Sequence, residues 1–269
     1  MSHSHPDPLD FSGRHVFVAG GSSGINLAIA DAFARRGARL SIASRSAERV
    51  AGAVAQLRAH GGEAEGHSAD VREYDAIDAA LGAARERFGP IDVLVSGAAG
   101  NFVAPALGMS SKGFRTVVDI DLVGGFNVLR AAHAHLRQPG ASVINISAPQ
   151  AFNPTPYQVH VCAAKAGLDM LTRVLAMEWG PDGIRVNSIV PGPIGETEGV
   201  RRLAPGDAAL AAMAASIPMR RFGKTAEVAD MAMVLSSPLA SFVTGAVIPV
   251  DGGSSLPGGR DLGAAVARA

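Results

Sequence analysis

The chain has little of what marks an oxidised, membrane-bound or nucleic-acid-binding protein. Among 269 residues there is one cysteine, Cys162, which excludes an internal disulfide and a cysteine-built zinc cluster. A lone thiol makes a reducing compartment, the cytoplasm, the natural expectation. Neither sign of charge prevails. The 24 Lys and Arg balance the 24 Asp and Glu without any run of like charge, so no electrostatic footprint for nucleic acid or an anionic membrane is present. The apolar stretches fall well short of a bilayer-spanning helix. The opening MSHSHPDPLD has no apolar core of the kind a signal peptide needs. His3 and His5 read as part of a solvated tail rather than a metal site, and no metal is expected. Linkers, repeats and low-complexity segments are lacking too. The apolar share, 48%, is enough to bury one sizeable core in a single domain. The expected division is a disordered N-terminal tail over 1–10, a folded unit over 11–256 and a C-terminal tail over 257–269.

What is present is alternation. HVFVAG, RLSIASR, IDVLVSGA, SVINISA, IRVNSIVPG and AVIPVDGG are short runs rich in β-branched residues, each with Gly, Ser or Pro at or next to its end. Between them lie amphipathic, Ala-rich stretches. In one of these Val50, Val54 and Leu57 share a helical face before Gly61 and Gly62 stop it. Continuous apolar strands alternating with helices predict an α/β fold, a parallel sheet covered on both faces. Right-handed crossovers make it a doubly wound, Rossmann-type single domain. The stretch 193–222, rich in Gly, Pro, Arg and Ala, breaks the pattern and reads as a small substrate lid beyond a strand end.

The first strand runs straight into a glycine turn, with Gly20 and Gly24 around Ser22 and Ser23 and a helix starting near Ile25. Backbone N–H groups and the helix dipole there favour a phosphate. A glycine turn alone is common; its place in the first βαβ unit gives it weight. At the end of the second strand, where an NAD enzyme usually carries a carboxylate, stand Ser44 and Arg45. A serine and an arginine suit the 2′-phosphate of NADPH, which a carboxylate would repel. The alternative for Arg45 is a solvated surface side chain. Asp70, followed by Val71, is either a cap on the adenine amino group or a surface acid.

GGSSGI, Asp70-Val71, Ala98-Ala99-Gly100, Lys165, PGPI at 191–194 (Pro191, Gly192, Ile194) and DGG at 251–253 together resemble the short-chain dehydrogenase/reductase family. They do so in order and over nearly the whole chain. The departures from that pattern are specific. Asn26 stands at the family's third glycine, and Ser96-Gly97 at its asparagine pair. Asp121 takes the place of its catalytic asparagine, and Val161 that of its catalytic tyrosine, one turn before Lys165. The catalytic serine aligns with Ser147 or, in the other alignment, with Ala148. The stretches AAGNF, VVDID, QVH and WGPDGIRVNSIVPGPIGETEGVRRL resemble one branch closely, the peroxisomal-type 2,4-dienoyl-CoA reductases. That branch lacks the tyrosine and uses NADPH. The final ARA is not a peroxisomal address of the SKL kind, so the resemblance implies a bacterial, cytoplasmic homologue.

The resemblance implies reduction of trans-2,4-dienoyl-CoA. Hydride must reach the far end of the conjugated system, the thioester oxygen must be stabilised, and carbon must receive a proton. Ketone reduction, by contrast, needs an acid on the reacting oxygen, which is the tyrosine's task. Lys165 and Asp121 are therefore the leading catalytic candidates, holding the proton-giving water as implied for the branch. Asp121 has Asp119 two residues away, and a helix-cap role for it stays open. Ser147 either bonds the substrate carbonyl or satisfies a strand end. Asn101 and Phe102 follow the AAG strand end, where the acyl group belongs; Asn101 is a donor to the thioester oxygen or a turn residue. Tyr157 is a minority candidate for a displaced acid, His160 a packed or capping histidine, and Cys162 a small buried residue. Arg201 and Arg202, with Arg220, Arg221 and Lys224, are candidates for the CoA phosphates. Small residues on the helices around 124–136 and 163–179 imply, by family resemblance, a homo-oligomer, a tetramer in preference to a dimer. Two rival functions stay open: a 3-oxoacyl-thioester or ketone reductase, and a non-catalytic NADPH-binding sensor or scaffold.

Overall fold

The computed structural model describes residues 7–195, 197, 200 and 206–256. Six strands coincide with the β-branched runs: β1 (His15–Ala19), β2 (Arg39–Ser44), β4 (Val93–Ser96), β5 (Ser142–Ile146), β6 (Arg185–Pro191) and β7 (Val247–Val250). The seventh, β3 (Ala64–Ser68), carries none of that signal. Its sequence is AEGHS, only Ala64 is buried, and it forms an edge of the sheet. All pairings are parallel, in the order β3-β2-β1-β4-β5-β6-β7. The order reverses between β1 and β4, and the crevice beyond those strands' carboxyl ends is where an α/β sheet binds ligands.

Eight helices are described: α1 (Gly24–Arg35), α2 (Ala47–Arg58), α3 (Tyr74–Phe88), α4 (Ser111–Val118), α5 (Gly124–Ala132), α6 (Val159–Trp179), α7 (Asp207–Ser216) and α8 (Thr225–Ser236). Strand side chains alternate between two cores. Val16, Val18, Leu40, Ile42 and Ile144 point to α1, α2 and α8, where Ile29, Phe33, Leu57 and Val228 meet them. Phe17, Ala19, Leu94, Val143 and Val186 point to α3, α5 and α6, against Ile77, Leu81, Leu129 and Trp179. Fully buried residues such as Phe17, Phe33 and Leu94 each contribute about 1.5–3 kcal/mol by leaving water. Strands β1, β2, β4, β5 and β6 are thus apolar on both faces, which is why they read as unbroken hydrophobic runs.

Residues 7–10, assigned above to the N-terminal tail, stay largely exposed but make two contacts with the folded unit. Asp7 pairs with Arg36 at 3.0 Å, and Leu9 lies against the first core. No described helix is long and apolar enough to cross a membrane. Between α4 and α5 the helical run widens into one π turn, Asp119–Val123, a feature common at functional sites.

Candidate active site

The π turn decides between the two aspartates of DID. It leaves Asp119 half-buried and turns Asp121 inward, 2% exposed. Asp121 Oδ1 accepts from Gly100 N at 2.6 Å, which ties it to the end of β4. Its Oδ2 lies 3.2 Å from Lys165 Nζ. Lys165 projects from α6, is 4% exposed and also donates to the Ile146 carbonyl at 3.0 Å. An ion pair this deep persists only with further hydrogen bonds, and both partners have them. Val161, one turn before the lysine, is buried and apolar.

Ser147 follows β5 directly. Its amide donates to Ile189 O at 2.8 Å, while its buried hydroxyl has no bonded partner. Beneath it sits Asp169, one helical turn after Lys165 and buried. Burial pushes the Asp169 carboxyl up, against the opposing pull of the Ser147 and Ser188 hydroxyls and of Arg173 and Lys165. Its Oδ1 and the Ser147 hydroxyl oxygen both stay outside hydrogen-bonding geometry. His160 is fully buried with both ring nitrogens unbonded. Burial pulls its pKa down, and the nearby Phe102 backbone and Asp121 carboxylate oppose this only in part.

The loop after β4 closes one wall. Phe102 packs on the His160 ring at 4.3 Å between centroids. Asn101 Oδ1 accepts from Gln158 Nε2 at 3.3 Å, and Ala104 N donates to Tyr157 O at 3.0 Å. Tyr157 itself has a left-handed backbone, φ 66°, and a 59% exposed side chain at the rim. Its phenol is no buried substitute for the absent acid. Cys162 is half-buried, not buried as expected, and α6 starts at Val159, ahead of Ala163.

At the other end of the crevice Gly20 and Gly24 have positive φ, 80° and 58°. A side chain at Gly20 would meet Ala98 N at 2.9 Å. Ser23 precedes α1 without capping it, and no acid occupies the first turn. The amides of the first turn around Ile25 are therefore uncapped, which fits a dinucleotide pyrophosphate. Ser22 Oγ donates to Ser44 Oγ at 2.9 Å, and Arg45 is exposed beside them. Asp70 is engaged by Arg72 through both carboxylate oxygens; the Arg72 bonds hold its pKa down. Asn127 Nδ2 donates to Val71 O at 3.0 Å. Asn26 places its amide where a side chain at Gly97 would stand: Nδ2 donates to Gly97 O at 2.7 Å, and a Cβ on Gly97 would run into it.

Ala98, Ala99 and Gly100 line the exit of β4. Pro191, Gly192 and Ile194 line that of β6, with Gly192 N bonded to Val250 O at 3.0 Å. Of the basic groups proposed for CoA, Arg201 and Arg202 lie outside the described residues. Arg221 is paired with Glu227 at 2.6 Å. Sequence reasoning missed Gln150, Gln158 and Asp169. Asp169 had a signal, its place four residues after Lys165 on the same helical face; Gln158 stood only as the first residue of QVH, without a role, and Gln150 had no signal.

The family described as Enoyl-(Acyl carrier protein) reductase matches over residues 19–255. A relative from Pongo abelii named "Peroxisomal 2,4-dienoyl-CoA reductase [(3E)-enoyl-CoA-producing]" is 46% identical over 249 residues, 92% of this chain and 85% of that protein. One from Bacillus subtilis named "Probable 2,4-dienoyl-CoA reductase [(2E)-enoyl-CoA-producing]" is 36% identical, covering 90% of this chain and 97% of that protein. The crystal structure of levodione reductase superposes with a TM-score of 0.87 at 32% identity, over 92% of this chain and all of that one. Motif order, strand order and these likenesses agree, and the chain belongs to the short-chain dehydrogenase/reductase family of nicotinamide-dependent oxidoreductases.

Proposed function

We propose that this chain reduces trans-2,4-dienoyl-CoA to an enoyl-CoA with NADPH as reductant, the auxiliary step by which unsaturated acyl chains enter β-oxidation. The observation that carries the reading is the buried Asp121–Lys165 pair, 3.2 Å apart, beside a valine where a carbonyl reductase needs its acid. The names of the relatives support the same reaction.

Bound NADPH supplies the hydride. The chain's own residues do the rest. Gly20, Ser22, Ser23, Gly24 and Ile25 hold the pyrophosphate, and Ser44 and Arg45 the 2′-phosphate. Lys165 orients the nicotinamide ribose. Asn101 and Ser147 bond the thioester oxygen, which gains charge as hydride arrives at carbon 5 of the acyl chain. A water held by Asp121 Oδ2 and Lys165 Nζ gives its proton to carbon 2, leaving the double bond between carbons 3 and 4. Phe102 lines the acyl site, Tyr157 stands at its rim, and the stretch 193–222 acts as the lid. Arg201 and Arg202 are the residues we assign to the CoA phosphates.

A homo-oligomer, preferably a tetramer, completes the reading. Val123, Phe126, Met170, Val174 and Met177 are each more than 40% exposed on the π turn, α5 and α6. The setting we propose is the cytoplasm.

The test is NADPH oxidation by the purified protein with a trans-2,trans-4-dienoyl-CoA, run beside acetoacetyl-CoA, with the product double bond located by mass spectrometry. Turnover of the dienoyl substrate alone is expected. Turnover of the ketone alone would mean a carbonyl reductase with a displaced acid. Binding of NADPH with no turnover of either would favour a sensor.

A further inference from the structure

Three side-chain amides run in a row beside the crevice. Gln150 Nε2 donates to Gln158 Oε1 at 2.7 Å, and Gln158 Nε2 donates to Asn101 Oδ1 at 3.3 Å. Gln158 is 3% exposed and stands at the entry of α6, where its backbone carbonyl accepts from Cys162 N at 2.9 Å. A primary amide has one acceptor end and one donor end. With Oδ1 taken by Gln158, Asn101 has only Nδ2 left to offer. Among the described residues Nδ2 has no partner, and Asn101 is exposed at the mouth of the crevice. Asn101 is a small side chain on a loop, so unbraced it would present its oxygen as readily as its nitrogen. An oxygen facing a thioester carbonyl repels the charge that develops there.

We propose that Gln158, braced by Gln150, is a positioning residue that fixes the polarity of the Asn101 amide so that its Nδ2 donates to the substrate's thioester oxygen. The proposal rests on the dienoyl-CoA reading above. Every step in the row has the same direction, donor to acceptor, toward the substrate. The same loop is held at two further points by Phe102 on His160 and Ala104 on Tyr157, so Gln158 sets orientation rather than the loop's place.

Gln158→Glu tests this in the full-length protein. A carboxylate of the same shape still accepts from Gln150 but opposes Asn101 Oδ1, so the Asn101 amide turns and withdraws its donor. The expected result with a dienoyl-CoA is a fall in kcat of roughly 10²- to 10³-fold, as for loss of an oxyanion donor. KM for NADPH should be unchanged, while the melting temperature falls because a carboxylate is placed where Gln158 is 3% exposed. Asn101→Ala should lose a similar factor, and the double variant no more than either single one. Gln150→Met, which removes only the brace, should lose a smaller factor and covers the case that Gln158→Glu fails to fold. Full kcat in Gln158→Glu with an impaired Asn101→Ala overturns the positioning role and leaves the reaction standing. Additive losses in the double variant overturn it as well, since Gln158 would then act other than through Asn101. A wild-type protein inactive on every dienoyl-CoA overturns the reaction and this inference together.

Discussion

Lys165 Nζ and Asp121 Oδ2 stand 3.2 Å apart, with Asp121 Oδ1 held by Gly100 N at 2.6 Å and Lys165 held by Ile146 O at 3.0 Å. The carboxylate is therefore tied to the segment that follows β4 and the ammonium to β5. Asp121→Asn and Lys165→Ala should each lower kcat by about 10² to 10⁴, the usual worth of a positioned proton-transfer group. Each also strands a buried charge, so stability should fall by about 3–5 kcal/mol, read as the urea midpoint. Near-wild-type turnover in either variant would remove the pair from the chemistry.

Tyr157 is 59% exposed and lies at the rim. Tyr157→Phe should change kcat by less than about twofold, the range of a surface substitution outside the reacting centre. Loss of activity in this variant alone would make the phenol the acid and return ketones to the list of substrates. Steady-state rates with both substrate classes decide it.

Arg45 is exposed beside Ser44, whose hydroxyl is already bonded to Ser22 at 2.9 Å. Loss of a charge-assisted bond to phosphate costs about 1.5–3 kcal/mol. Arg45→Ala should then weaken NADPH by roughly 10- to 100-fold and leave NADH unchanged. Fluorescence titration of the two cofactors measures the ratio; equal weakening of both would place Arg45 away from the 2′-phosphate.

Burial holds the Asp169 carboxyl above its ordinary value of 3.8. The folded chain then binds that proton more tightly than the unfolded chain does. Stability contributed by this site is greatest below the ordinary carboxylate pKa and falls as pH rises through the window up to the raised one. Asp169→Asn removes the slope, so the variant should gain on the wild type as pH rises above the ordinary carboxylate value. Parallel urea midpoints across that range would show that Asp169 is not held protonated.

The sheet was legible wherever strands are buried on both faces, because such strands must be apolar throughout. It was not legible at β3, an edge strand whose Glu65 and His67 are half-buried and whose Gly66 and Ser68 are exposed. In the site, Lys165 and the glycine turn stood out by spacing from their strands. Asp121 was preferred to Asp119 by family resemblance alone, because regular helical periodicity cannot foresee a π turn. The amide row was hidden for a different reason. Gln150, Gln158 and Asn101 meet only through tertiary contact, and nothing in their spacing brings them together.

The exchange of side chains between Asn26 and Gly97 constrains how this chain can change. The family pattern has glycine at the first position and asparagine at the second; here the two are reversed, and one amide fills the space that either could occupy. Gly97→Asn alone drives two amides into one volume, whereas Asn26→Gly alone leaves a gap and removes the hydrogen bond to Gly97 O. A scan of single substitutions would therefore score Gly97 as immutable, and a pairwise library would find it free. Any lineage passing between the two states has one open order of steps: the amide at 26 must leave before one arrives at 97.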